Sequence, residues 1–101
     1  MSVNLSSAYP TPYELGNQNQ TVTWQQCIPF YEKLAADFPS VLRFEQIGVS
    51  DNGIPMHAGV ITSDAVFDRE QIKRESRPVF FNNNGIHPGE PEGIDSCMAL
   101  V

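Results

Sequence analysis

Between Trp24 and Phe38 the apolar residues fall at Trp24, Cys27, Ile28, Tyr31, Leu34, Ala35 and Phe38. Steps of three and four place them on one stripe of an α-helix, with Gln25, Glu32 and Ala36 opposite. Thr23, followed three residues on by Gln26, predicts a capping box at the start, and Pro39 predicts the end. Pro29 falls inside the helix, where it removes one backbone hydrogen bond. Because it shares the polar face, the expectation is a kink toward solvent rather than a break. From Val41 the period changes to two, with Leu42 and Phe44 on one face and Arg43 and Glu45 on the other. That alternation predicts a half-buried strand to Val49. Asn52-Gly53 predicts a hairpin turn, because both residues tolerate positive φ, and Ile54 to Thr62 the return strand. Asp68 with Gln71 caps a short helix, Arg69 to Glu75. The apolar run Pro78-Val79-Phe80-Phe81 predicts a strand, Val79 to Asn83, buried on both faces. Pro91 suits a first helical position, and Ile94, Cys97, Met98 and Val101 then return at helical spacing.

One hundred and one residues suffice for a single domain with a modest core. Residues 1–22, polar and interrupted by Pro10, Pro12 and Gly16, read as an irregular N-terminal arm, and residues 23–101 as the folded part. The apolar face of the last helix lacks an evident partner. The expectation is the front of a longer domain, with that face and the Val79–Asn83 strand exposed. Six basic residues against twelve acidic give a net charge of -6. That argues against nucleic acid as a partner, since Lys73, Arg74 and Arg77 are diluted by Glu70 and Glu75. No apolar run approaches the ~20 residues of a membrane span. The first residues lack the charged and apolar regions of a signal peptide, which leaves a cytoplasmic protein and a processed exported one both open. Cys27 and Cys97 have no metal-type spacing and read as buried free thiols.

The chemistry concentrates in Asn82 to Gly93, NNNGIHPGEPEG. His87 and Glu90 flank Pro88-Gly89, so a tight loop can bring both side chains to one point. Imidazole nitrogen and carboxylate oxygen both bind zinc, at about 2.0–2.2 Å. A strand running through a loop into a helix is also where ligands collect in open α/β sheets. A catalytic zinc takes three protein ligands and an open water position, so a third ligand has to come from elsewhere. Glu92 is either an alternative ligand or a charge favoured at a helix N-terminus. His57, on the return strand, reads as a strand side chain. Asn82, Asn83 and Asn84 are candidates to orient the ligands through hydrogen bonds behind them.

This succession resembles the N-terminal part of the zinc carboxypeptidases, the carboxypeptidase A-like metallopeptidases. The features shared, in order, are the helix opened by Thr23-Trp24, the strand ending in Ile47-Gly48, the Gly53-Ile54-Pro55 hairpin, Arg77-Pro78, and the Gly-Ile-His-x-x-Glu turn from Gly85 to Glu90. The match spans about Thr23 to Val101. His-Pro-Gly-Glu-Pro-x-Gly looks like a bacterial-type branch. The resemblance implies an incomplete three-layer α/β/α fold, a mixed sheet with an N-terminal β-hairpin and flanking helices. It implies His87 and Glu90 as the first two ligands of one zinc ion, and a peptide or peptide-like substrate cut at or near its C-terminus. The family's third histidine ligand, carboxylate-binding arginine, tyrosine and general-base glutamate lie farther on, with no matching position here. The 101 residues alone are therefore expected to be inactive and to need the rest of the domain as partner. Two other readings stand beside it. One is a zinc deacylase of the aspartoacylase or succinylglutamate desuccinylase type, against which Pro88-Gly89 speaks because that branch has Gly-Asn-Glu. The other is a non-enzymatic binding module or pseudo-enzyme.

Overall fold

The computed structural model describes residues 8–87 and 89–101, so Met1–Ser7 of the arm and Pro88 of the turn lie outside the described residues. Over these residues the chain is mixed α/β. It contains α1 (Pro12–Leu15), α2 (Trp24–Asp37), β1 (Leu42–Val49), β2 (Pro55–Ile61), α3 (Arg69–Arg74) and α4 (Glu92–Leu100). Two compact units are present. One joins the residues up to Phe30 with Phe81–Val101, and the other is Tyr31–Phe80.

In the second unit the local signals behave as the sequence suggests. Leu34 and Leu42 are buried, Phe44 is half-buried, and Arg43 and Glu45 face solvent. Tyr31, Phe44 and His57 form a stack of rings, with centroids 5.3 Å and 5.0 Å apart. β1 and β2 pair antiparallel from Leu42↔Ile61 to Val49↔Pro55, with a bulge that leaves Ile47 unpaired between Gln46 and Gly48. The hairpin turn falls at Asn52-Gly53, as expected. Gly53 alone takes a positive φ (77°), and Asn52 does not. The Gly53 amide donates to the Ser50 carbonyl and the Ser50 amide to that of Ile54. Those bonds close a three-residue loop, which needs one left-handed residue rather than two.

α3 is capped by the Asp68 carboxylate, which accepts from the Glu70 and Gln71 amides. Its end is a Schellman motif: Ser76 at φ 51° donates to Lys73, and Arg77 donates to Ile72. This delivers Arg77 to two carboxylates. Its guanidinium grips Asp64 at 2.9 and 2.7 Å, and its Nε donates to Glu75. The Arg77 hydrogen bonds hold the Asp64 carboxyl well below the usual range, helped by the Thr62 hydroxyl. Glu75 is lowered first by Gln71 and then by Arg77. The side chains are roughly a third to half exposed, so water screens the cluster. A depressed folded pKa stabilises above the unfolded value, about 3.9 for Asp, and the gain is lost as pH falls through the folded value. Arg77→Gln is therefore expected to raise the Asp64 midpoint toward the ordinary range, with Thr62 still holding it somewhat low, and to move Glu75 less, and acid unfolding should begin at higher pH. A carboxylate titration by NMR checks this; an unmoved Asp64 midpoint would rule Arg77 out as the cause.

In the α2 segment Gln25, Pro29, Glu32 and Ala36 are all exposed, and the helix runs through Pro29 unbroken. The Thr23–Gln26 capping box is present in both directions. Trp24, expected on the buried stripe, is 46% exposed.

Three expectations need correction. The 1–22 segment is not wholly irregular, because Thr11 and Glu14 form a capping box that opens α1, with Pro12 in its first turn. The strand Val79–Asn83 does not form, and with it goes the mixed sheet: the described sheet has two antiparallel strands. A strand buried on both faces exists only through neighbours that complete its ladder. No described residue does so, and Val79, Phe80 and Phe81 are 77, 91 and 83% exposed. The apolar face of α4, in contrast, is covered. Met98 is buried, Ile94 and Cys97 are half-buried, and only its end, at Leu100 and Val101, stays exposed.

Candidate metal centre

The turn before α4 is set by two glycines and one carboxylate. Gly85 sits at φ 73°, with a Cβ at that position only 2.7 Å from Ile94 Cδ1. Both the backbone conformation and the space beside it favour glycine. At Gly93 an added Cβ would meet the Asn84 side chain at 3.4–3.5 Å, so that carboxamide lies against the first turn of α4. Pro91 opens α4 without a side-chain cap, its carbonyl accepting from Ile94 and Asp95. The Asp95 carboxylate reaches back along the chain. It accepts from the Thr21 hydroxyl at 2.6 Å and from the Val22 amide at 3.1 Å.

Within this frame the Glu90 amide donates to the His87 carbonyl at 3.1 Å, closing the loop between them. The two side chains meet, His87 Nδ1 to Glu90 Oε2 at 2.8 Å, and both are about two-thirds exposed. At this distance a proton lies between nitrogen and oxygen. Two donors on one tetrahedral zinc, with bonds of about 2.0–2.2 Å, stand roughly 3.3 Å apart. The pair would have to open by about half an ångström and give up its proton, a small rotation for exposed side chains. Donor type and convergence therefore suit zinc. Donor number does not, because no group of three His, Cys, Asp or Glu side chains is assembled among the described residues.

The other candidates fall elsewhere. Asn82 directs its amide toward Cys97 Sγ at 4.0 Å, Asn84 lies on Gly93, and Asn83 is exposed. Among the described residues no hydrogen bond joins these asparagines to His87 or Glu90. Glu92 is the first residue of α4 and exposed, where its charge favours the helix N-terminus. His57 lies on β2 opposite Gln46, its ring flat on Phe44. Both cysteines are free and half-buried. Burial pushes the Cys27 thiol up, and Cys97 and Asp95 push it further, which keeps it protonated at neutral pH. Asp95 is the residue that sequence reasoning missed. An acid in a first helical turn was visible, but its partners stand more than seventy positions away in the chain.

No helix of the described residues is long and apolar enough to cross a membrane. No protein family, curated protein or solved structure matches the chain.

Proposed function

We propose that the turn from Gly85 to Gly93 is part of the zinc site of a carboxypeptidase-like hydrolase, and that the chain belongs to an incomplete three-layer α/β/α fold of that kind. The observation that carries the proposal is the convergence of His87 and Glu90, one imidazole and one carboxylate, on a single exposed point. The motif order from Thr23-Trp24 to Gly-Ile-His-x-x-Glu supports the same reading. In this reading His87 and Glu90 hold the ion, and further ligands are supplied from outside these residues. Zinc in such a site acidifies a bound water and polarises a carbonyl, which suits cleavage of a peptide-like amide near a free C-terminus. What this chain contributes is the pair of donors, kept together by the His87–Glu90 backbone turn and by the packing of Gly85 against Ile94. In this reading the pair holds the ion and does not by itself hydrolyse a substrate.

Zinc competition against a chromophoric chelator tests the proposal. Wild-type chain is expected to take zinc weakly, and His87→Ala and Glu90→Gln each to fall to background. His57→Ala should bind as wild type does. Zinc uptake that survives both turn substitutions would place the metal elsewhere and end the proposal.

A further inference from the structure

The chain holds two Asn-Gly pairs, Asn52-Gly53 and Asn84-Gly85. They share exposure and backbone conformation, although Ile94 lies beside Gly85 and Asn84 lies against Gly93, while nothing stands beside Gly53. Both asparagines and both glycines are exposed. Both glycines take a left-handed φ, 77° and 73°. Glycine after asparagine leaves the following amide nitrogen unshielded, so that it can reach the asparagine side-chain carbon. The pairs differ in what holds that nitrogen. The Gly53 amide donates to the Ser50 carbonyl at 2.9 Å, inside the closed hairpin turn. Among the described residues the Gly85 amide has no acceptor, and the Asn84 carboxamide makes no hydrogen bond. Asn82 and Asn83 are each followed by another asparagine, whose side chain crowds the same approach.

We propose that Asn84 is a site of spontaneous modification, deamidating through a cyclic imide ahead of Asn52. The Gly85 backbone nitrogen attacks Asn84 Cγ. The new N–Cγ bond forms, the Cγ–Nδ2 bond breaks, and ammonia leaves with the amide's proton. Water then adds to the imide. Cleavage of the new N–Cγ bond gives aspartate, and cleavage at the Asn84 backbone carbonyl gives isoaspartate, with no change of oxidation state. Either product adds a negative charge three residues before His87, and isoaspartate also lengthens the backbone beside Gly85. The inference stands on the two glycine amides and does not depend on the zinc reading.

The test is incubation of the folded chain at neutral pH, with peptide mapping by mass spectrometry to read conversion at each asparagine. A parallel sample in urea reports the unfolded chain. In the folded chain Asn84 is expected to convert roughly fivefold faster than Asn52, the factor matching a net hydrogen bond of about 1 kcal/mol at Gly53. In urea the two rates should come together. Equal or faster conversion at Asn52 in the folded chain overturns the proposal. So does a rate at Asn84 no higher than at Asn83, or a difference that persists in urea.

Discussion

Gly85→Ala is expected to lower the unfolding free energy by about 2–3 kcal/mol. Two costs combine. A left-handed backbone disfavours a Cβ by about 1–2 kcal/mol. The new methyl would also stand 2.7–2.8 Å from Ile94 Cδ1 and Cγ1. Ile94 can escape by leaving its preferred rotamer, at about 1 kcal/mol. The double variant Gly85→Ala/Ile94→Ala separates the terms. With the isoleucine cut back the clash is gone, so alanine at 85 should cost only the backbone part. Urea unfolding followed through Trp24 fluorescence measures both. A loss below about 0.5 kcal/mol for Gly85→Ala, within the range of an ordinary surface substitution, would contradict the assigned conformation.

Asp95→Ala should cost about 2–3 kcal/mol. The carboxylate accepts two hydrogen bonds from the segment before α2, one from a hydroxyl and one from a backbone amide. Bonds to a charged acceptor contribute about 1.5–3 kcal/mol, less where water competes. The Val22 amide would also lose its acceptor, and α4 a favourable N-terminal charge. Asp95→Asn keeps one carbonyl oxygen for that amide and should lose about half as much. Thr21→Val removes only the hydroxyl and should cost about 1 kcal/mol. Combined with Asp95→Ala it should add almost nothing, since the shared bond is already gone. Full additivity of the two substitutions would show that the contact does not hold in solution.

What could be read from the sequence is what neighbours in the chain decide. The stripe from Cys27 to Phe38, the Thr23–Gln26 and Asp68–Gln71 caps and the Leu42/Phe44 alternation are set within a few residues, and each formed. The same logic was available for Thr11-Pro12-Tyr13-Glu14, where a capping threonine, a first-turn proline and a glutamate mark a helix start. It was hidden only by the polar character of the surrounding arm. Non-local features were not legible. Val79–Phe81 has the composition of a buried strand, but a ladder partner is a property of the fold and not of the run. Cover for the Ile94–Met98 face and the link from Asp95 to Thr21 likewise depend on residues far away in sequence. At the candidate site the sequence offered His87 and Glu90 and their spacing. Their 2.8 Å approach required the turn bond from Glu90 to His87, which only the structure supplies.

The most direct measurement is a zinc titration followed through the imidazole NMR signals of the two histidines. His57, stacked on Phe44 in the other compact unit, serves as the internal reference. Saturable movement of the His87 signals, with His57 unchanged and the response abolished by Glu90→Gln, is the result expected of a zinc pair at this turn. A His87 signal indifferent to zinc, or one that moves equally in the Glu90→Gln chain, would make His87 and Glu90 a hydrogen-bonded turn and nothing more.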